Sequence, residues 1–438
     1  MSNLVPFSNY LEVNPARYIP DGLNLASKVS FVPMADVSES GHWFGSQVRR
    51  LNEVTSGFTN FKNNDVLVAK ITPCFENGKG AFVSDLENGV GFGSTEFHVL
   101  RAKQGTCARF IFHVTQWPQF RLSSERFMTG SAGQKRVQTL AFSQFEIGDF
   151  DEDEQATIAT ILDTLDTQIR QTEAIIAKLQ QAKQGLLHDL LTCGIDESGQ
   201  LRPPYEQAPE LYKDSPLGWI PKEWDFGDIS KALSTGCLIA IQDGNHGEIH
   251  PKTSDFVEEG IPFVMANDIV DGNIKFEACY KITRKQFEGL RIGFAKKDDV
   301  LLSHKGTVGQ VAVVPSDVDE IMLTPQVTYY RCQPERLLPK FLAIWFKTSF
   351  FKEKLLSLSA QSTRAYIGIL GQRQLPFMFI PHDEQLEIVS FYGSTEERIA
   401  LEHRALIKLK KQKAGLMDDL LTGRVRVTEL IEQEKQAS

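Results

Sequence analysis

Cysteine is scarce in this 438-residue chain, six in all, and the six (Cys74, Cys107, Cys193, Cys237, Cys279, Cys332) stand far apart. None forms a CxxC or has a histidine at zinc-ligand spacing, so a disulfide scaffold and a zinc ribbon are excluded, and the six read as free thiols of a reducing compartment. Long apolar runs are missing as well. Nothing approaches the roughly 20 residues that span a bilayer, and MSNLVPFSNYLEV has no basic segment leading into an apolar one. The expected location is the cytoplasm, with no membrane partner.

Catalytic signatures are equally sparse. GFGSTE (91–96) lacks the third glycine and the following helix of a dinucleotide fingerprint, and no GxxxxGK[ST] occurs. HGEIH (246–250) spaces two histidines as a zinc protease does, but its Glu is misplaced, and DGN before it and Pro251 after it make the stretch a loop. PPY (203–205) resembles the tail of the adenine N6-methyltransferase motif, yet Arg202 stands where an acceptor is needed, and arginine only donates. The chain is therefore expected to be no enzyme, with no catalytic residue, no metal ligand and no cofactor of its own.

Positive charge is also short overall, with a formal net charge of −9. The deficit is local. Residues 1–145 hold 14 basic and 11 acidic side chains, whereas 146–215 hold 5 against 15. Within 101–140, Arg101, Lys103, Arg109, Arg121, Arg126, Lys135 and Arg136 face one acid, Glu125, a run that is usually a solvated face but here is a candidate to lie along phosphates.

What the chain has in plenty is itself. KQGLLHDLLTCGI (183–195) returns as KAGLMDDLLTGRV (413–425), and DEQATI (153–158) as DEQLEI (383–388), both displaced by 230 positions. Upstream the match weakens but persists: DVLVAK (65–70) against DVLLSH (299–304), and STEFHVLR (94–101) against TPQVTYYR (324–331).

Between DEQ and the closing motif, apolar residues alternate at spacings of four and three, the heptad signal of a coiled coil. The expected seam is Leu162, Leu165, Ile169, Ile176, Leu179, Leu186 and Leu190 on one helix and Tyr392, Ile399, Leu406, Leu409, Leu416 and Leu420 on the other, with Thr172 and Lys183, then Glu402 and Lys413, as polar layers. Each helix either packs its stripe on its own domain or pairs with the other helix. An antiparallel pairing about a pseudo-twofold axis at the Ile176–Leu179 layers predicts Lys183 near Glu402 and Lys413 near Thr172.

The remaining segments alternate short β-rich runs with Gly, Asn and Asp turns, followed by helical patterns, which gives an α/β class: two α/β domains in tandem repeat, each followed by a long helix. The expected division is a first domain at 1–150, a spacer helix at 151–193, a Pro- and Gly-rich polar linker at 194–215, a second domain at 216–380, a second helix at 381–425 and a polar tail at 426–438.

Polar loops are the remaining source of chemistry. MTGSAGQKRVQT (128–139) delivers Gln134, Lys135 and Arg136, and its counterpart SLSAQSTRAYIG (357–368) delivers Gln361, Arg364 and Tyr366. IQDGNHGEIHPK (241–252) adds Gln242, Asn245, His246, His250 and Lys252, and the ends of the DVLVAK-type strands add Lys70, His304 and Lys305, with Lys79 nearby. Arginine and lysine suit guanine O6 and N7, glutamine and asparagine suit adenine, and backbone amides of small residues suit phosphates, so these are the candidate DNA-binding residues. Ordinary surface loops, or protein-binding ones on a free-standing coiled-coil adaptor, are the competing reading.

The DEQ helices ending in GLLHDLLTCGID and GLMDDLLTGRV, with GQLRPPYEQAPELYKDSPLGWIPKEWDFGDI (199–229) between them, resemble the type I restriction-modification specificity subunits over nearly the whole chain. The resemblance implies two target-recognition domains, each reading half of a bipartite double-stranded DNA sequence. It also implies an antiparallel coiled coil that sets the spacer and docks two modification subunits. Methylation with S-adenosylmethionine would belong to those partners, and ATP- and Mg-dependent translocation and cleavage to restriction subunits. One departure stands out: the first half lacks a GWIPKEW and begins instead with VPFSNYLEVNPARYIP.

Overall fold

The computed structural model describes residues 3–437 apart from 46, 132, 247, 248 and 361–364. It divides into two compact units, Met1–Ile175 with Glu402–Ser438, and Ile176–Leu401. Each unit thus holds one globular domain and one half of each long helix.

The first domain runs β1 (Leu4–Pro6), β2 (Leu11–Val13), β3 (Lys28–Val32), β4 (Val48–Arg50), α1 (Leu51–Val54), β5 (Thr59–Lys62), β6 (Val66–Ala69), β7 (Gly80–Phe82), β8 (Val90–Gly93), β9 (Phe97–Ala102), α2 (Ala108–Gln116), α3 (Pro118–Ser124), β10 (Met128–Thr129), β11 (Arg136–Val137), α4 (Leu140–Gln144) and β12 (Glu146–Gly148) before the long α5 (Glu152–Thr192). Two four-stranded sheets form, in the orders β2-β9-β6-β7 and β4-β3-β8-β5, antiparallel except where β3 runs parallel to β8. Every residue of β6 is buried. A strand covered on both faces reads as an unbroken apolar run, which is why DVLVAK shows no alternation. Helix α2 covers this sheet, and Phe7, Phe110, Phe120 and Phe142 fill the core beside it.

The second domain repeats this order after a hairpin of its own. It contains β13 (Tyr212–Ser215), β14 (Gly218–Pro221), β15 (Asp225–Asp228), α6 (Ile229–Ser234), β16 (Leu238–Asp243), β17 (Ile261–Val264), β18 (Ile269–Val270), β19 (Asn273–Ile274), β20 (Tyr280–Ile282), α7 (Arg284–Gly289), β21 (Phe294–Lys296), β22 (Val300–Ser303), β23 (Val311–Val313), β24 (Glu320–Leu323), β25 (Val327–Cys332), α8 (Pro339–Phe346), α9 (Ser349–Ser359), α10 (Ile369–Gln372) and β26 (Pro376–Phe379), then α11 (His382–Leu421) and α12 (Thr428–Ala437). Its sheets, β16-β25-β22-β23 and β20-β17-β24-β21, match the first domain strand for strand, including one parallel pair, β17 with β24. In both, an arginine late in the second strand of the first sheet's order, β9 or β25, forks onto a buried aspartate: Arg101 on Asp65 and Arg331 on Asp299, each with Nε and Nη2 at 2.8 and 2.7 Å.

The different beginnings of the halves now have a cause. β1 pairs with β12 as β15 pairs with β26, so VPFSNY takes the place of DFGDIS, and the β13–β14 hairpin is an addition. The hairpin leads to Trp224, which is fully buried. Two of the expected boundaries change with this. The supposed linker is folded: Ile195 is buried, Arg202 bonds Glu384 at 2.5 Å, and Tyr205 stacks on Trp219 at 4.1 Å. The supposed polar tail forms α12, anchored by buried Val427 and by Lys435 on Asp153 at 2.9 Å. Composition marked both as polar, but a few apolar anchors and one ion pair each are enough to dock a short segment.

The two long helices pair antiparallel. In the first unit the N-terminal half of α5 lies against the C-terminal half of α11, and in the second unit the roles exchange. All thirteen seam residues are buried or half-buried. The expected register is wrong: Lys183 reaches Glu396 at 2.7 Å and Lys413 reaches Asp166 at 2.5 Å, so the polar partners stand six positions from those named above. Heptads fix which face is inward, but not how far one helix is slid along the other.

Candidate nucleic-acid interface

The repeated DEQ sets each domain on its helix. Gln155 donates to the Phe150 carbonyl and accepts from the Cys107 amide, while Gln385 donates to the Ile380 carbonyl and accepts from the Leu338 amide, all at 2.8 to 3.0 Å. The glutamate before it receives the chain that leaves the other helix. Glu154 is bonded by Arg426 at 2.6 Å, and Glu384 accepts from the Ile195 amide, the Trp224 indole and Arg202. Each helix ends on a left-handed glycine, Gly194 and Gly423, both with φ of 71°. A side chain at Gly194 would run into Glu384, Arg202 and Trp224, so only glycine fits there.

In both domains the polar loop of small residues is pinned to the end of the same buried strand. After β6, Ile71 bridges Arg136; after β22, Lys305 bridges Tyr366. The first loop is fastened further by the Thr72 amide to the Lys135 carbonyl and the Val137 amide to the Lys70 carbonyl, both 2.9 Å, and the second by the Ile367 amide to the His304 carbonyl at 3.2 Å. Strand end and loop, far apart in sequence, form one rim in each domain.

On the first rim Gln134, Lys135 and Arg136 are exposed. The Arg136 guanidinium takes Glu96 through Nε at 3.0 and 3.1 Å and Nη2 at 2.8 Å, and these bonds lower the Glu96 carboxyl below its ordinary value. Lys70 is half-buried, donates to the Thr95 carbonyl at 2.9 Å and has its ammonium pushed down by burial. Lys79 is half-buried with Met34 as its neighbour. On the second rim Lys305 and Tyr366 are exposed, the ammonium 5.9 Å from the ring centre. His246, His250 and Lys252 are exposed on the loop after β16, and half-buried Gln242 accepts from the Gly293 amide. Gln361 and Arg364 lie outside the described residues.

Two expected contact residues are turned inward. His304 is 1% exposed, with Nδ1 3.1 Å from the Ile367 carbonyl and its pKa lowered by burial. Asn245 is 2% exposed and donates to the Ile249 carbonyl. Both brace a loop and present nothing to a ligand. The basic run at 101–140 is only partly available, with Lys103, Arg126, Lys135 and Arg136 exposed and the other three engaged within the domain. Arg101 holds Asp65, Arg109 holds Asp163, and half-buried Arg121 donates to the Thr115 and Gly78 carbonyls, its pKa brought down to about 10 by desolvation.

A charged layer that the sequence did not reveal lies under the first domain. His113 on α2 is fully buried, with Nε2 2.8 Å from Asp163 and Nδ1 3.9 Å from Asp166, and both carboxylates already hold a cation, Arg109 and Lys413 respectively. His113, Asp163 and Asp166 have the composition of a metal site, but with these cations in place they form an ion-pair network between domain and helices. Position by position the second unit has Ala343 and Gly393 instead of His113 and Asp163, so only the first domain is fastened in this way.

Comparison with known proteins places this architecture. Residues 20–181 match the family model described as the Type I restriction modification DNA specificity domain. The EcoAI specificity subunit of Escherichia coli is 41% identical over 135 residues, 30% of this chain and 22% of that protein. The Escherichia coli EcoEI specificity subunit is 34% identical over 43% of this chain and 31% of its own length, and the MjaVIII subunit of Methanocaldococcus jannaschii 25% identical over 64% and 61%. Over the matched residues the chain is similar to type I restriction-modification specificity subunits. Its alignments span less than a third of the two Escherichia coli relatives. The fold is likewise that of solved specificity subunits. A chain from a type I R-M system solved for its assembly and conformational transition superposes with a TM-score of 0.56 at 16% identity, covering 97% of this chain and 98% of that one. The S subunit from M. genitalium gives 0.54 at 12% identity over 96% of both.

The residue that sequence reasoning missed on the first rim is Glu96. The signal was present in the aligned stretches STEFHVLR and TPQVTYYR, where Glu96 stands opposite Gln326 at the start of otherwise matching strands.

Proposed function

We propose that this chain is the DNA-reading subunit of a type I restriction-modification assembly. Each domain reads one half of a bipartite double-stranded target, and the antiparallel helical pair fixes the spacer and docks two modification subunits. The observation that carries this reading is the pair of equivalent rims. The bridge between strand end and loop is the same in both domains, yet it presents Arg136 in one and Tyr366 in the other. A frame that repeats while its exposed residues differ is what reading two different half-sites needs.

The chain itself supplies no chemistry. Adenine methylation with S-adenosylmethionine belongs to the modification subunits, and ATP- and Mg-dependent cleavage to restriction subunits where these are present. On this reading the chain works beside them in the cytoplasm; among the described residues no helix is long and apolar enough to cross a membrane.

Long-read methylome sequencing of cells carrying the chain with its modification subunit tests the proposal. The expected result is a bipartite adenine-methylated motif that disappears when this chain is deleted. Methylation that persists without the chain, or a motif in a single block, would support the coiled-coil adaptor in its place.

A further inference from the structure

We infer that Arg136, braced by Glu96, reads a guanine in the half-site of the first domain, and that Tyr366 at the equivalent position gives the second domain a different reader. The inference rests on the DNA-reading function proposed above and assigns one base pair of the target to one side chain.

The argument starts from what the guanidinium has left to offer. An arginine has five N–H donors in a fixed plane. Glu96 takes the Nε edge, receiving Nε and one Nη2 hydrogen. What remains is the far edge, where Nη1 has one long contact of 3.5 Å to the Gln134 carbonyl of its own loop. That free edge has the two parallel donors that match guanine O6 and N7 in the major groove. Phosphate can accept the same edge, but a phosphate contact needs no fixed orientation, and this guanidinium is fixed from several sides.

Its backbone is held in β11 against Thr129 of β10 and bridged to Ile71 on the opposite side. Gln138 donates to the Arg136 carbonyl at 3.1 Å and to the Thr129 hydroxyl at 2.7 Å. Glu96 is itself fixed, because its amide donates to Ser94 Oγ and its carbonyl accepts from the Lys70 amide at 2.7 Å. Yet the Arg136 side chain is 44% exposed. A rigid, charged and half-exposed donor pair at the rim has already lost the rotamer freedom that binding would otherwise take from it.

The repeat supplies an internal contrast. Position 366 is Tyr366 and position 326 is Gln326, whose side chain accepts from the Ala266 amide at 3.4 Å. Among the described residues no arginine–carboxylate pair stands at the second bridge, where Lys305 meets Tyr366 instead.

The test uses the full chain assembled with its modification subunits, and reads the motif by methylome sequencing and by selection from a randomised duplex pool. The wild-type motif is expected to contain a G·C pair in one half that becomes degenerate in Arg136→Ala, with discrimination at that pair falling roughly 5- to 150-fold. Arg136→Lys and Glu96→Gln are expected to relax the same pair by less, and both leave the rim folded if the alanine variant does not. The other half-site must stay unchanged. An unaltered motif with lowered overall binding would overturn the inference in favour of a fastening or phosphate role while leaving the proposed function standing. Wild-type half-sites made of A·T pairs alone would do the same. Absence of any chain-dependent bipartite motif would remove the function and this inference together.

Discussion

Lys413 holds Asp166 at 2.5 Å, and Lys183 holds Glu396 at 2.7 Å, so that each lysine and each carboxylate has its counterpart 230 positions away. The two pairs are the same contact written twice. Their surroundings differ: the side chains of Lys413 and Asp166 are 18% and 12% exposed, those of Lys183 and Glu396 27% and 40%. Removing one partner of a buried pair strands the other charge, whereas a wetter pair is screened. Lys413→Ala should therefore cost about 1–3 kcal/mol in thermal or denaturant unfolding, and Lys183→Ala less than about 1 kcal/mol. Equal losses would mean that the flanking network of His113, Asp163 and Arg109 already compensates Asp166.

Glu384 gathers three donors from the segment that follows α5. It accepts from Trp224 Nε1 at 2.8 Å and from the Ile195 amide at 2.7 Å, besides its ion pair with Arg202. Glu384→Ala leaves a buried indole N–H, a buried amide and a guanidinium without an acceptor, and is expected to cost roughly 3–5 kcal/mol. Hydrogen exchange should rise specifically across 193–224. Loss of stability without that local change would place the role of Glu384 elsewhere.

How much of this was legible depends on range. The seam was readable because a heptad is a local pattern, and every position named for it is buried or half-buried. The slide between the helices was not, because a lysine reaches a turn or more in either direction along its partner. His304 and Asn245 show a second limit. Their loops look polar in composition, but the loop at 365–368 folds over the end of β22 and turns His304 inward onto the Ile367 carbonyl. Side-chain direction in a loop is set by what covers it. The reverse error was the basic run at 101–140, where Arg101 and Arg109 face acids that the fold brings from 36 and 54 positions away.

Stability should fall in acid for a reason other than the carboxylates. His98 is buried between the Val137 carbonyl, 2.9 Å from Nε2, and Asn14, and burial lowers its pKa to about 4. The folded chain therefore binds this proton less readily than the unfolded one. The stabilisation is complete above the unfolded pKa near 6.5 and is lost as the pH falls from there toward about 4, amounting to roughly 3 kcal/mol at the acid end. His98→Gln should flatten unfolding free energy between pH 6.5 and 4 relative to the parent. A slope unchanged by that substitution would assign the acid loss to His113 and His304, both lowered by burial as well.

Lys135 stands next to Arg136 on the same rim, exposed, with only its backbone fastened. An unbraced ammonium suits a phosphate. Lys135→Ala should weaken DNA binding by a similar factor on all sequences and reduce the salt slope by about 1, leaving the methylated motif intact. A changed motif would make Lys135 a base reader.

The helices themselves give the most direct handle on the spacer. Deleting Ala177–Gln180, four residues between Asp166 and Lys183, shortens α5 by about 6 Å and rotates the following residues by about 40° beyond a full turn. The apolar stripe stays nearly in phase, so pairing can survive, but Lys183 no longer meets Glu396 while Lys413 and Asp166 are both untouched. The expected outcome, read by methylome sequencing, is a changed spacer length or loss of the motif, with both half-site sequences as before. A variant that keeps the spacer but alters half-site bases would show that the helices take part in reading sequence, since a purely geometric role leaves the rims at Arg136 and Tyr366 as they were.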